Sequence, residues 1–431
     1  MTAETTYPDS YYAATANASP ERPSLAGDHS CDVCIVGAGY AGLVTGLFLA
    51  EKGYKVMVVE AAKVGFGASG RNGGQLINGY SRGFDQIKSS YGEDTANAIV
   101  AMSFDGGNVI RDKVKTYDIA CDLKSEGSFF AAYTAAQMKD LEHEKQLWER
   151  FGHTGLELMD KEAVGKDVVG SDVYVGGMVD RWGGHMHPLN LALGEAAAIE
   201  SLGGTIFENS KVTKIEKTAK PEVHTENGKI TADFVVVCGG GYMEEKTLPE
   251  ITNKVMPVSS QIITTEVLGD DLCRQLMPAD YCIEDCNYIL DYYRITGDKR
   301  LLFGGGIVYG GATPADIKAK LGPNMKKVFP QLKDVKIDFA WSGQMSFTFR
   351  RLPHVGRLTD NIYFVHGFSG HGVTPTHLMG KLVAEAIAEQ SAGFDVFASI
   401  RHFPWPGGRR FRVPLTALGA WFYALREKLG L

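Results

Sequence analysis

Gly37, Gly39 and Gly42 stand in the spacing G-x-G-x-x-G, directly after the apolar run Val33, Ile35 and Val36. Glu60 closes a second apolar run, Lys55 to Val59, at roughly the 20-residue distance expected of a dinucleotide site. Each glycine has a physical task. Gly37 turns the chain out of a strand. Gly39 admits a pyrophosphate against bare backbone. Gly42, with Gly46, lets a helix lie close to the sheet. Tyr40 and Ala41 open that helix, whose free N–H groups and partial positive charge suit phosphate oxygens. Glu60 can accept hydrogen bonds from both hydroxyls of an adenosine ribose, with Ala61 beside it. A carboxylate there disfavours an extra ribose phosphate, so the pattern predicts FAD or NAD rather than NADP.

Two more stretches share this chemistry. VGFGASGRNGGQ, residues 64 to 75, holds five glycines in twelve residues and follows the second strand. Such a loop runs close to something. Ala68, Ser69, Gly70, Arg71 and Asn72, then Gly73, Gly74 and Gln75, are expected to meet the cofactor through side-chain donors and backbone N–H groups. Near the C-terminal end, NIYFVHGFSGHGVT repeats the plan of a strand, then glycines, then a helix. Gly370, His371, Gly372, Val373 and Thr374 would bring a helix N-terminus to the cofactor, where its dipole favours negative charge. The strand DFVVVC also breaks into glycines, and Val212, Gly239 and Gly240 are expected contacts from that region. Three separate stretches returning to one cofactor suit a buried FAD, bound noncovalently, better than NAD.

The elements around these motifs predict an α/β (α+β) fold, in which a Rossmann-like FAD-binding domain is interleaved with a predominantly β-sheet substrate domain. Helices are expected over 95 to 117, weakened by Gly106-Gly107, over 135 to 151, and from Pro188 to just before Gly203. Strands are expected at 173 to 179, and in several pieces over 205 to 238 around an Asn227-Gly228 hairpin turn. From 255 to 341 aromatic strands dominate, and Thr313-Pro314 caps a helix. The division that follows is an extended arm at 1–30, FAD-binding segments at 31–90, 151–245 and 346–400, substrate segments at 91–150 and 246–345, and an amphipathic tail at 401–431. Tyr11 and Tyr12 can anchor the arm on the body or on a second subunit. Leu415, Leu418, Phe422, Leu425 and Leu429 share one helical face in the tail, which suits packing on the body or on another subunit better than a membrane surface.

Composition narrows the class. The 431 residues suit two interleaved domains, and the net charge of −7 does not suggest nucleic-acid binding. Seven cysteines, at 31, 34, 121, 238, 273, 282 and 286, show no framework spacing and fit a reducing compartment. No signal-peptide pattern and no long apolar run appear, so a cytoplasmic protein is expected. Cys31 and Cys34 lie within one strand and read as core residues. His185 and His187 read as hydrogen-bonded turn residues. Cys282 and Cys286 with Glu284 and Asp285 make a weak ligand set. No metal site is expected.

The chain as a whole resembles the D-amino-acid oxidase-like FAD superfamily, and within it the oxidases of gamma-glutamylated putrescine. The stretches that carry this are SYYAATAN, KVGFGASGRNGGQ, GGHMHPLNLALGEA, CNYILDYYRITGDKRLLFGGG, LPHVGRL, GFSGHGV and FPWPGGRRFRVPLTALGA. The resemblance implies a D-amino-acid oxidase/glycine oxidase-like fold and FAD. It also implies oxidation of a primary amine by dioxygen to an aldehyde, ammonia and hydrogen peroxide, in polyamine breakdown. The alternative is a dehydrogenase that passes electrons to a quinone or carrier. Such chemistry needs a neutral amine beside the flavin. His371 is the expected polar group near the ring, and Arg294 the expected holder of the glutamyl carboxylate. Tyr292, Trp341 and Phe368 would wall the alkyl chain. No general base is assigned.

Overall fold

The Gly27–Val36 strand is buried over its second half because it runs through the middle of a parallel sheet. It pairs in parallel with Val56–Val59 on one side and with Gly228–Val237 on the other. Thr205–Phe207 extends the first side and Ile362–His366 the second, both parallel, and antiparallel His354–Thr359 closes the edge. All four residues of Val56–Val59 are buried, a contribution of roughly 1.5–3 kcal/mol for each large apolar side chain. A strand apolar on both faces needs cover on both. The Tyr40–Glu51, Pro188–Ser201 and Val373–Ile387 helices cover one face. On the other, Ile215, Val223 and Ile230 pack with Leu248 and Ile251 around a small antiparallel meander. The structure is a computed structural model and describes residues 5–308, 313–406, Phe411, Pro414 and Leu418.

The second sheet has eight strands. Their order is Ile337–Thr348, Val255–Thr265, Leu301–Val308, Asp291–Ile295, Cys282–Asp285, Ser128–Ala132, Gly176–Asp180 and Leu156–Asp160. One face packs on the Pro314–Val328 helix through Ile263, Ile283, Phe303, Ile317 and Leu321. That helix starts in a capping box, in which Thr313 and Asp316 satisfy each other's backbone N–H groups. The other face looks across at the first sheet.

Several expectations need correction. The segment from 151 to 180 does not join the cofactor sheet, because Leu156–Asp160 and Gly176–Asp180 pair in the second sheet. Conversely, the start of the 91–150 segment packs on the cofactor side. The Asp105–Thr116 helix lies against Val373–Ile387, where a Cβ on Gly106 would overlap the Thr374 carbonyl. The expected 95–117 helix is two helices, Glu93–Met102 and Asp105–Thr116, and Gly106-Gly107 falls in the first turn of the second. The arm is not wholly extended. Ser10 caps a turn of helix at Tyr11–Ala14, and the first strand begins at Gly27. Tyr11 and Tyr12 anchor on the body: Tyr11 donates to Asp298, and the Tyr12 ring meets Trp341 and His187 edge-on. The amphipathic face assigned to the tail lies almost wholly outside the described residues. Among the described residues no helix is long and apolar enough to cross a membrane.

Candidate active site

A cavity of about 890 Å³ lies between the two sheets, near the upper end of ordinary ligand sites, roughly 300–1,000 Å³. Its first end is built by the glycine turn. Gly37 has φ +105, and a Cβ there would sit 2.9 Å from the Cys238 carbonyl oxygen. Gly37 N–H donates to Val59 O at 2.8 Å, which fixes the turn on the second strand. The Tyr40–Glu51 helix has Gly39 as its cap, a residue with no side chain to bond its first turn. The Tyr40 N–H is instead taken by Ser69 Oγ at 2.9 Å. The Glu60 carboxylate accepts from Ala38 N–H at 2.8 Å and Ala62 N–H at 2.9 Å and faces the cavity. Burial pushes its carboxyl up, and those N–H groups oppose the shift. The Val373–Ile387 helix arrives from the far side, again with a bare glycine cap, Gly372.

A glycine turn with no room for a side chain, two helix N-termini behind glycine caps and a carboxylate at a strand tip fit the diphosphate and ribose of a dinucleotide. Gly37, Gly39, Glu60, Ala61, Val212 and Gly239 line that end of the cavity. Ala68, Ser69, Arg71, Asn72, Gly73 and Gln75 line the middle, with Tyr40, Ala41 and Gly240. The loop is rigid. Asn72 donates to Ala68 O and Ser69 O and accepts from Gly74 N–H at 2.7 Å, while Arg71 donates to Phe66 O and lies over the Phe66 ring. Gly370, His371, Gly372 and Val373 complete the wall, with Phe368 beside them.

Four expected cofactor contacts sit behind this wall. A Cβ on Gly42 would overlap the Gly37 carbonyl, one on Gly70 the Gly65 carbonyl, and one on Gly74 the Met186 carbonyl. These three glycines let backbone meet backbone. Thr374 is buried and donates to Ile77 O at 2.6 Å, which ties the helix start to the neighbouring segment.

Two expected substrate residues are likewise displaced. Arg294 is 3% exposed and does not reach the cavity. Its fork donates to Gly73 O at 2.7 Å, Met186 O at 2.8 Å and Tyr12 Oη at 3.2 Å, so it clamps the loop and the arm together. Trp341 is buried behind Tyr12 and donates to Arg71 O at 3.0 Å. Tyr292 does line the cavity, beside Gly73, and its hydroxyl lies 3.2 Å from Ser260 Oγ. His371 also lines it. Its Nε2 lies 3.2 Å from Ile77 O and 3.1 Å from Asn78 O. Carbonyls only accept, so Nε2 carries the proton; burial pushes the imidazole pKa down and keeps the ring neutral.

Apart from Tyr288, in the aromatic stretch expected near a pocket, the sequence reading missed the other end of the cavity. Phe130, Leu141, Trp148 and Met178 form an apolar wall, and Glu144, Glu284, Tyr288 and Arg351 bring polar groups to it. Arg351 adopts φ +60, lies over the Phe347 ring at 4.8 Å and donates to Tyr288 Oη at 3.2 Å. The sequence places Leu141, Glu144 and Trp148 in an expected helix and Met178 in an expected strand, but only the folded chain brings them together with Phe130, Glu284 and Arg351. His185 and His187 behave as expected. His185 Nε2 donates to Asp280 O at 2.8 Å, and His187 Nδ1 accepts from Asn190 N–H as a helix cap.

The sequence model of the FAD dependent oxidoreductase family matches residues 32–386. The chain belongs to this family. FAD is therefore the dinucleotide of the glycine turns. Gamma-glutamylputrescine oxidoreductase of Escherichia coli (strain K12) is 50% identical over 427 residues, 99% of this chain and 100% of that protein. Probable oxidoreductase OrdL of Haemophilus influenzae is 40% identical, with 97% of each chain covered. Among solved structures, glycine oxidase from Geobacillus kaustophilus superposes with a TM-score of 0.73 at 21% identity, over 87% of this chain and 100% of that one. That likeness shows the fold, a largely parallel sheet facing a second, largely antiparallel one. The enzyme is an FAD-dependent oxidoreductase acting on CH–NH2 groups.

Proposed function

We propose that this chain oxidises the terminal primary amine of gamma-glutamylputrescine, or a close gamma-glutamylated polyamine, to the aldehyde. Amine, dioxygen and water give aldehyde, ammonia and hydrogen peroxide. The observation that carries the reading is the 50% identity to a gamma-glutamylputrescine oxidoreductase over essentially the full length of both chains. The cavity supports it, with an apolar wall for a methylene chain and polar groups along it.

When bound, noncovalently, FAD supplies the acceptor for the electron pair and hydrogen of the C–H bond beside nitrogen. The chain does the rest. Glu60 and the glycine turns hold the nucleotide end. The first turn of the Val373–Ile387 helix presents N–H groups and a positive dipole end to the cavity, which favours negative charge there, and the neutral His371, tied to Ile77 O and Asn78 O, shapes the wall beside it. Trp148, Phe130 and Met178 exclude water from the alkyl chain. Arg351, rather than the buried Arg294, offers a guanidinium to the glutamyl carboxylate. A cytoplasmic setting agrees with seven free thiols.

The acceptor is tested by peroxide yield. Aerobic turnover should give one peroxide for each aldehyde. Aldehyde formed only with an added quinone, without peroxide, would replace the oxidase by a dehydrogenase.

A further inference from the structure

One row of directly opposed residues crosses the second sheet from strand to strand. Leu158 pairs with Met178, Met178 with Phe130, and Phe130 with Glu284. Glu284 pairs with Tyr292, Tyr292 with Gly304, Gly304 with Ile262, and Ile262 with Trp341. Opposed residues on neighbouring strands point to the same face. The row is thus an apolar and aromatic stripe with one carboxylate at its centre. Met178, Phe130, Tyr292 and Ile262 share the cavity wall with Glu284. Gly304 leaves the space that the Tyr292 ring fills, since a Cβ there would overlap the phenol. Ile283 alternates to the opposite face and joins the core beneath.

A carboxylate set in such a stripe is costly unless something pairs with it. Among the described residues no hydrogen bond or salt bridge reaches the Glu284 carboxylate. The side chain is half-buried and opens on the cavity. Its titratable neighbours on the sheet bring no cation. Tyr292 stands on the next strand, and Asp285 with the Cys282 and Cys286 thiols lies along its own segment. From the other walls come Glu144, Tyr288, the neutral His371 and the Arg351 guanidinium, which lies over the Phe347 ring and donates to Tyr288 Oη. Burial, with the Asp285 charge adding to it, pushes the Glu284 carboxyl up to about 7.

We propose that Glu284 receives the terminal ammonium of the substrate and takes one proton from it. This rests on the amine-oxidation reading above and names the residue that makes the amine reactive. An N–H bond breaks and an O–H bond forms on the carboxylate. Nitrogen keeps its electron pair, so nothing is oxidised or reduced. Ammonium plus carboxylate become amine plus carboxylic acid, and the two charges vanish together. An alkylammonium in water titrates near ~10, but in an apolar cavity the neutral pair is favoured over two desolvated charges. Phe130 and Tyr292 flank the carboxyl and take the adjoining methylenes.

The test is Glu284→Gln in the FAD-loaded enzyme, a change that keeps side-chain shape and strand register. Flavin content and melting temperature are measured first and should match the parent. Flavin bleaching by gamma-glutamylputrescine without oxygen is then followed against pH. The parent's second-order rate constant should rise with pH through about 7 and level off. The variant should be slower near neutral pH by about 100-fold, within the usual range for a positioned proton acceptor, and should keep rising toward the titration of the free amine. A second readout needs no turnover. An analogue with two methyl groups on the amine-bearing carbon has no hydrogen to lose, and its affinity, measured by calorimetry, should fall at least about tenfold in the variant. Parent-like rate, pH profile and affinity in the variant would overturn the proposal, as would a loss confined to Glu144→Gln. Should gamma-glutamylputrescine fail to bleach the parent, the substrate reading falls instead. Parent and variant are then compared on whichever primary amine of a panel does bleach the flavin, with the same two outcomes.

Discussion

Arg294 holds three separate segments through one guanidinium: the loop at Gly73, the turn at Met186 and the arm at Tyr12. Removing it leaves buried carbonyl oxygens without donors, each a cost of about 1–3 kcal/mol. Arg294→Leu should therefore lower the melting temperature and the retained flavin together. Arg294→Lys should restore only part of both, because a point charge cannot reproduce the fork. Normal stability and flavin content with a raised KM alone would return Arg294 to the substrate site. The residue reads as a ligand in sequence because a cation beside Tyr292 and Asp291 looks like a pocket group. Arg294 shares a face with Tyr292, two residues along the strand, but its fork is spent on the loop, the turn and the arm.

Among the elements, the turn between the first strand and the Tyr40–Glu51 helix is the least tolerant. Gly42→Ala would drive a methyl into the Gly37 carbonyl. Overpacking of this kind costs about 1–3 kcal/mol, and here the atom displaced is backbone at the diphosphate. The purified variant should carry much less FAD than the parent while keeping its far-ultraviolet circular dichroism; full flavin occupancy would refute the account of this turn. The motif was legible in sequence because strand, turn and helix are adjacent, and its chemistry is set by three glycines and a carboxylate within one short stretch. The same holds for Thr313 as a helix cap and for a hairpin beside Asn227, although its two-residue loop is Glu226-Asn227 and Gly228 already opens the next strand. What escaped was pairing at a distance. Leu156–Asp160 carries nothing that tells it to join a sheet with Ser128–Ala132 and Cys282–Asp285 rather than with its sequence neighbours at 205 to 237. For the same reason Glu284 looked like a weak metal ligand in a Cys-rich stretch. Only the register with Phe130 and Tyr292 makes it the charged centre of an apolar stripe.

At the scale of the whole molecule, the two sheets face one another across a cavity, with the glycine turns and Glu60 on one wall and an apolar stripe on the other. This arrangement serves an amine carried on a chain whose far end is polar, so a chain lacking the glutamyl group should be a poor substrate. The direct measurement is anaerobic mixing of the purified yellow enzyme with gamma-glutamylputrescine and, separately, with putrescine, followed in the visible flavin band. The account predicts rapid bleaching by the glutamylated amine and little by putrescine; an unbleached flavin with gamma-glutamylputrescine would contradict it.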